Sequence, residues 1–169
     1  ITLSIFISFS SDLWFYNYFI SLDQKVNGVF LKEFFKEITR LGSSSWYFII
    51  TFMGFVIFYM GKRLQIIKHK TIHNLSNFFI TSFFYVLIVG IITQVIKHIV
   101  GRPRPNHTNF EDVFDFQFFT LESNFHSFPS GHSSTIFIVC FILVSVFPKL
   151  KYFFYFLASI IAFSRVVVG

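Results

Sequence analysis

Cysteine is nearly absent: Cys140 stands alone, inside an apolar run, so no internal disulfide can form and no paired-cysteine redox or metal motif exists. Charge is scarce as well. Only 13% of the 169 residues are charged against 54% hydrophobic, and the mean hydropathy is +0.65. That balance excludes an ordinary solvated two-layer domain and indicates a membrane unit. No internal repeat, low-complexity linker or second domain interrupts residues 1–169, which read as one domain. There is no basic, short-cored signal peptide, so insertion is expected to rely on the spanning helices themselves. The chain begins at Ile1 without a methionine and stops at Gly169 inside a hydrophobic run, so the domain is expected to be cropped at both ends.

Acidic residues are missing from two connections in particular. Segments 61–74 and 148–151 carry Lys62, Arg63, Lys68, Lys70, Lys149 and Lys151 with no Asp or Glu, which is the positive-inside pattern of cytoplasmic loops. Asp12, Asp23, Glu33, Glu37, Glu111, Asp112, Asp115 and Glu122 all fall on the other side. The pI of 9.6 therefore reports topology. A nucleic-acid partner would need a basic patch that this chain lacks.

What is abundant is apolar length. A helix crossing the roughly 30 Å hydrocarbon core needs about 20 apolar residues, since each advances about 1.5 Å. Five candidate spans follow: residues 1–11 as the tail of a first helix, then 41–60, 75–96, 132–147, and 152–163 continuing toward Val168. The last two are short, and their outer ends are expected to be shielded by protein or to meet a polar cavity. Between the first two, Val26, Phe30, Phe34 and Ile38 recur every four residues with Lys and Glu between them, predicting an amphipathic helix in the outer interface or packed over the bundle's end. The 29 Phe are read as bulk lipid-facing and packing residues, with no binding role for any one of them.

Chemistry concentrates where apolar runs end. Lys97, Arg102 and Arg104 follow the third span on the outer side, although a charge at a helix centre costs about 2.5–3.5 kcal/mol on insertion scales. Snorkelling into headgroups would relieve that cost. In Arg102-Pro103-Arg104-Pro105, however, each proline biases the preceding arginine toward extended backbone, holding both guanidinium groups on a stiff strand. A planar guanidinium matches two phosphate oxygens at once, and Lys97 adds a point charge. Pro129-Ser130-Gly131-His132 opens the fourth span from the same side. Ser130 is a natural N-cap, Gly131 leaves backbone N–H groups accessible, and the helix N-terminus attracts an anion. His132 in the first turn is then placed to exchange a proton with that anion near neutral pH. Ser164-Arg165 ends another run and points to the same side.

These residues resemble the type 2 phosphatidic acid phosphatase family, the membrane branch of a superfamily shared with vanadium haloperoxidases. The family's first motif, Lys, six residues, then Arg-Pro, is matched by Lys97 and Arg104-Pro105, and its Pro-Ser-Gly-His motif by Pro129 to His132. The third, Ser-Arg, five residues, then His, begins at Ser164-Arg165, and the expected histidine would lie two positions past Gly169. Thr39-Arg40-Leu41-Gly42-Ser43 also resembles a family feature. The resemblance implies an all-α polytopic transmembrane bundle, six helices in the complete protein, acting as a lipid phosphatase without metal or other cofactor. It further implies that Lys97, Arg104 and Arg165 hold the phosphate oxygens, with Ser130, Gly131 and Ser164 completing the cradle. The third-motif histidine would become a phosphohistidine, and His132 would act as general acid. Arg102 lies outside the motif and receives no role.

The expected substrate is a membrane lipid phosphomonoester or diphosphate, with lipid A, undecaprenyl diphosphate, phosphatidylglycerophosphate and phosphatidic acid all open. Segment 106–128 is its expected reader, and the expected setting is a bacterial inner membrane with the site facing the periplasm. Two alternatives remain. A metal hydrolase could draw on His98, His107, His126 and His132 with Glu111, Asp112, Asp115 and Glu122, although their spacing fits no ligand motif. A non-enzymatic phosphate-binding protein or transporter subunit could use Thr93 and Gln94 to line a polar path, where an interhelical hydrogen bond is the commoner role. Oligomeric state is not legible.

Overall fold

The computed structural model describes residues 11, 14–22, 24, 30–64, 70–104 and 115–168. Helices α1 (Phe30–Arg40), α2 (Ser44–Arg63), α3 (Lys70–Val100), α4 (Gly131–Val146) and α5 (Lys151–Val168) are joined in part by 3-10 turns at Ser123–Phe125 and Pro148–Leu150. Residues 14–22 are helical too, and no strand occurs among the described residues. An all-α architecture is what apolar surroundings demand, because a helix satisfies its backbone polar groups within itself.

Among the described residues three stretches, Glu33–Arg63, Asn74–Val100 and Pro148–Val168, are long and apolar enough to cross a membrane, and Gly131–Val146 is a shorter apolar helix. The 16 residues of α4 advance only about 24 Å, less than a hydrocarbon core. Its first turn opens on a cavity lined by cations and hydroxyls, so the missing length coincides with that polar wall. Residues 1–10 of the expected first span lie outside the described residues. On α2 and α3, Ile49, Ile57, Ile88, Ile91 and Val95 are exposed. A row of large apolar side chains of this kind faces lipid comfortably and water poorly.

Side-chain shape sets the pairing. Helices α2 and α3 meet through aromatic rings, Phe48 and Phe52 on Phe83 and Phe58 stacked on Phe79 at 5.5 Å between centroids. Helices α4 and α5 enclose the main core, Ile136 and Cys140 against Ala158 and Ile161, with Ile38 and Tyr47 packed onto it. On α5 the buried residues Ala158, Ile161, Ser164 and Val167 recur every three positions and so form one face. Its small members let the neighbouring backbone come close. Short connections make α2/α3 and α4/α5 antiparallel neighbours, which gathers the start of α2, the end of α3, the start of α4 and the end of α5 at one end of the bundle.

The interface helix forms, with a different inner face from the expected one. Phe34 is 51% exposed, whereas Phe35 meets Phe163 edge-on, Ile38 packs on the α4/α5 core and Thr39 is buried. Helix α1 packs along α5, and the stripe that fits that groove decides the rotation, not the four-residue repeat. Val26 and the Phe30 side chain lie outside the described residues. The helix is thus packed over the bundle's end, with Glu33, Lys36 and Glu37 outward.

Candidate active site

Helix α3 stops at a glycine for two reasons. Gly101 has φ +55°, and a Cβ there would sit 1.7 Å from the Gln117 carbonyl oxygen, so any other residue is both strained and excluded. The chain then runs extended through Arg102, Pro103 and Arg104, laced to the returning loop. Gln117 N–H donates to the Gly101 carbonyl at 2.9 Å, Ser127 N–H to Arg102 at 3.1 Å, and the Ser127 hydroxyl to Pro103 at 2.8 Å. Arg104 is held twice: its N–H donates to the Asn124 carbonyl at 2.9 Å and its Nε–H to the Ser123 carbonyl at 3.1 Å. The stiffness expected from the prolines is therefore completed by tertiary hydrogen bonds that orient the Arg104 guanidinium.

Helix α4 begins with Ser130 in extended conformation as N-cap, its hydroxyl oxygen accepting the Ser133 N–H at 3.4 Å. Ser134 N–H closes the first helical bond onto the Ser130 carbonyl at 3.0 Å. Among the described residues nothing claims the N–H groups of Gly131 and His132. Two donors and the positive end of the helix dipole thus face the cavity, the arrangement that binds an anion.

On α5, Ala162, Arg165 and Val166 line the cavity while the neighbouring stripe of Ser164 and Val167 is buried in the helix packing. This corrects the expectation for Ser164. That residue is 0% exposed, its hydroxyl donates to the Ile161 carbonyl at 2.6 Å, and it is absent from the cavity wall. One residue's step of about 100° around the helix separates a packing serine from a cavity arginine.

Lys97, Arg104, Ser130, Gly131, His132 and Arg165 come together around one cavity of about 500 Å³, a size that suits a phosphate with part of its headgroup. The Lys97 ammonium lies 3.9 Å from where a Gly131 Cβ would be, which fixes the end of α3 against the start of α4. Lys97 feels the charges of Arg104 and Arg165, Arg165 that of Arg104, and His132 those of Arg165 and Lys97. Among the described residues no Asp or Glu lines the cavity. A cluster of like charges of this kind, beside a helix N-terminus, suits an anion.

Arg102 is 5% exposed and also reaches the cavity, as do His126, Ser127, Ser133 and Ser134. Spacing along the chain carries no signal for His126, because the 101–127 lacing brings it in. Its ring lies 4.4 Å from that of His98, and each ring nitrogen that is engaged meets a backbone carbonyl: His126 Nε2 with Thr120, His98 Nδ1 with Gln94. Among the described residues no three His, Cys, Asp or Glu side chains gather as metal ligands; His107, Glu111 and Asp112 lie outside them. Thr93 is buried and Gln94 exposed. Neither lines this cavity.

Two curated relatives are similar to the chain: the lipid A 1-phosphatase of Rhizobium etli, 30% identical over 143 residues, and that of Rhizobium johnstonii, 30% identical over 147. Each alignment covers 82% of this chain and 61% or 58% of the relative, so the chain spans about 60% of their length. No solved structure gives a significant match. Residues 78–169 match the PAP2 superfamily, a stretch that holds every cation of the cavity together with the Ser130–His132 helix start, and the chain belongs to that superfamily.

Proposed function

We propose that the protein is an integral-membrane lipid phosphatase whose site opens at the outer, periplasmic face and whose substrate is a lipid A-type glycolipid phosphate. The observation that carries this reading is the convergence of Lys97, Arg104, Arg165 and the α4 N-terminus on one cavity at the end of apolar helices. The activity for which the relatives are named supports a lipid A 1-phosphate, and the acid-free basic loops at the other end support an outward-facing site. In this reading the three cations and the Gly131 and His132 N–H groups bind the non-bridging phosphate oxygens and stabilise the charge that spreads over them as the ester bond lengthens. The Ser130 hydroxyl accepts from Ser133 and keeps its own proton for a phosphate oxygen.

His132 donates a proton to the bridging oxygen as it leaves with the lipid. By resemblance, the family's third-motif histidine would attack phosphorus as that P–O bond breaks. Water then attacks the phosphohistidine, with His132 taking its proton back, and releases inorganic phosphate. The test is phosphate release by full-length protein in vesicles carrying lipid A, undecaprenyl diphosphate, phosphatidylglycerophosphate or phosphatidic acid, with and without EDTA. Release is expected from lipid A above the others and unchanged by EDTA. Activity confined to another lipid would reassign the substrate, chelator-sensitive activity would point to a metal hydrolase, and no release from any of them would favour a phosphate-binding protein.

A further inference from the structure

We infer that the turn between α1 and α2 is a positioning element for His132, and that Gly42 is the residue through which it acts. The inference rests on the general-acid reading of His132. Gly42 is buried, and a Cβ on it would lie 2.9 Å from His132 Cβ, 3.0 Å from the His132 carbonyl oxygen and 3.2 Å from His132 Cα. Two of those three atoms are backbone in the first turn of α4, so no side-chain rotation can make room. Any methyl at position 42 must push that helical turn or the 41–43 turn aside.

The turn does not yield easily. Leu41, Gly42 and Ser43 N–H groups donate to the Ile38, Thr39 and Arg40 carbonyls at 3.1, 2.9 and 3.0 Å, and the Tyr47 hydroxyl donates to the Leu41 carbonyl at 2.6 Å. Tyr47 is itself packed on the Ile136, Cys140, Ala158 and Ile161 core, and Ile38 on the same core anchors the other side of the turn. The backbone of 131 and 132 is thus bounded on two sides. The Lys97 ammonium faces Gly131, and Gly42 abuts His132 where its side chain leaves the main chain.

Position matters here more than contact energy. A general acid works within about 2.6–3.2 Å of the atom it protonates, and a misplacement of about 1 Å can lower turnover about 10²-fold. Gly42 touches no substrate; it sets where the imidazole is rooted. A bulkier residue should therefore harm proton donation more than phosphate binding, which draws on the cations of α3, α5 and the extended segment 101–104 besides the α4 N–H groups.

The experiment compares Gly42→Ala and Tyr47→Phe with wild-type full-length protein on two esters, an alkyl phosphate, whose leaving oxygen needs a proton, and p-nitrophenyl phosphate, whose leaving group departs without one. For Gly42→Ala, the first-turnover cleavage of the alkyl ester should slow about 10²-fold while inhibition by inorganic phosphate holds within about 3-fold, and the first-turnover release of nitrophenolate, which precedes the hydrolytic step that His132 also serves, should slow far less. Tyr47→Phe, which only loosens the turn, should show the same pattern more weakly, and it decides the matter alone if Gly42→Ala does not accumulate folded. Equal first-turnover losses on both esters, weakened inhibition by inorganic phosphate in place of a slowed first turnover, or unchanged alkyl cleavage in the variants would overturn the positioning role. A wild-type protein that hydrolyses neither ester would instead remove the phosphatase reading, and the inference with it.

Discussion

Lys62, Arg63, Lys149 and Lys151, at one end of the bundle, are exposed; at the other end Lys97, Arg104 and Arg165 are half-buried and Arg102 is 5% exposed. Exposed cations keep their hydration and gain from anionic headgroups, so they need no partner in the protein. Half-buried cations that repel one another have given up part of that hydration, and no acid among the described residues lines their cavity. Such an arrangement is held by the surrounding fold, here by the 101–104 lacing and the packing of α5 on α4. Its compensation arrives with an anionic ligand. In the proposed reading the same residue types mark topology at one end and a binding site at the other, and burial tells them apart.

The sharpest way to break this comparison is at His132, which sits among the buried cations without adding a permanent charge. His132→Ala is expected to lower lipid-phosphate turnover by about 10²–10⁴, the usual general-acid contribution, while leaving inhibition by inorganic phosphate nearly intact. Equal loss of inhibition would make His132 part of the binding site and no acid. Next in size is Arg104→Lys. Lysine keeps the charge but has neither the fork for two phosphate oxygens nor an Nε–H to reach the Ser123 carbonyl, so affinity for phosphate should weaken about 10-fold or more, read as a raised KM and inhibition constant. Wild-type affinity in that variant would mean that Arg104 acts by charge alone, as an exposed lysine does.

Much of the fold was legible because spanning length is a one-dimensional property. Expected spans 41–60, 75–96 and 132–147 correspond to helices Ser44–Arg63, Lys70–Val100 and Gly131–Val146. The real helices α2 and α3 run on into charged residues, since backbone hydrogen bonding continues where apolar sequence stops and Lys97 and His98 suit a helix C-terminus. The Ser130 cap was legible for a local reason, its reach to an N–H three residues on. What escaped depended on partners distant in sequence. The inner face of α1 was set by α5, the burial of Ser164 by a helix stripe only packing reveals, the place of His126 in the cavity wall beside the cations by the loop lacing, and the Gly42 abutment by contact across 90 residues of sequence.

The smallest expected effect is the most useful control on the comparison. Replacing Lys149 and Lys151 together by alanine removes two positive charges, as many as Arg104 and Arg165 contribute to the cavity, from the connection at the far end of α4 and α5. Both side chains are exposed, and Lys151 lies over the Tyr152 ring at 4.8 Å from its centroid, an exposed cation–π contact worth about 0.5–1 kcal/mol. Neither touches the cavity, and at physiological salt a charge more than about 8 Å away across exposed surface is largely screened. Lipid-phosphate turnover should stay within about 2-fold of wild type, and Lys62 and Arg63 should preserve the orientation of the α2–α3 hairpin, as read by accessibility of a single-cysteine label in that connection. If the double variant instead lost affinity for inorganic phosphate as Arg104→Lys does, the anion would be responding to the summed field of the protein, and the local cradle around Gly131 and His132 would no longer explain where it binds.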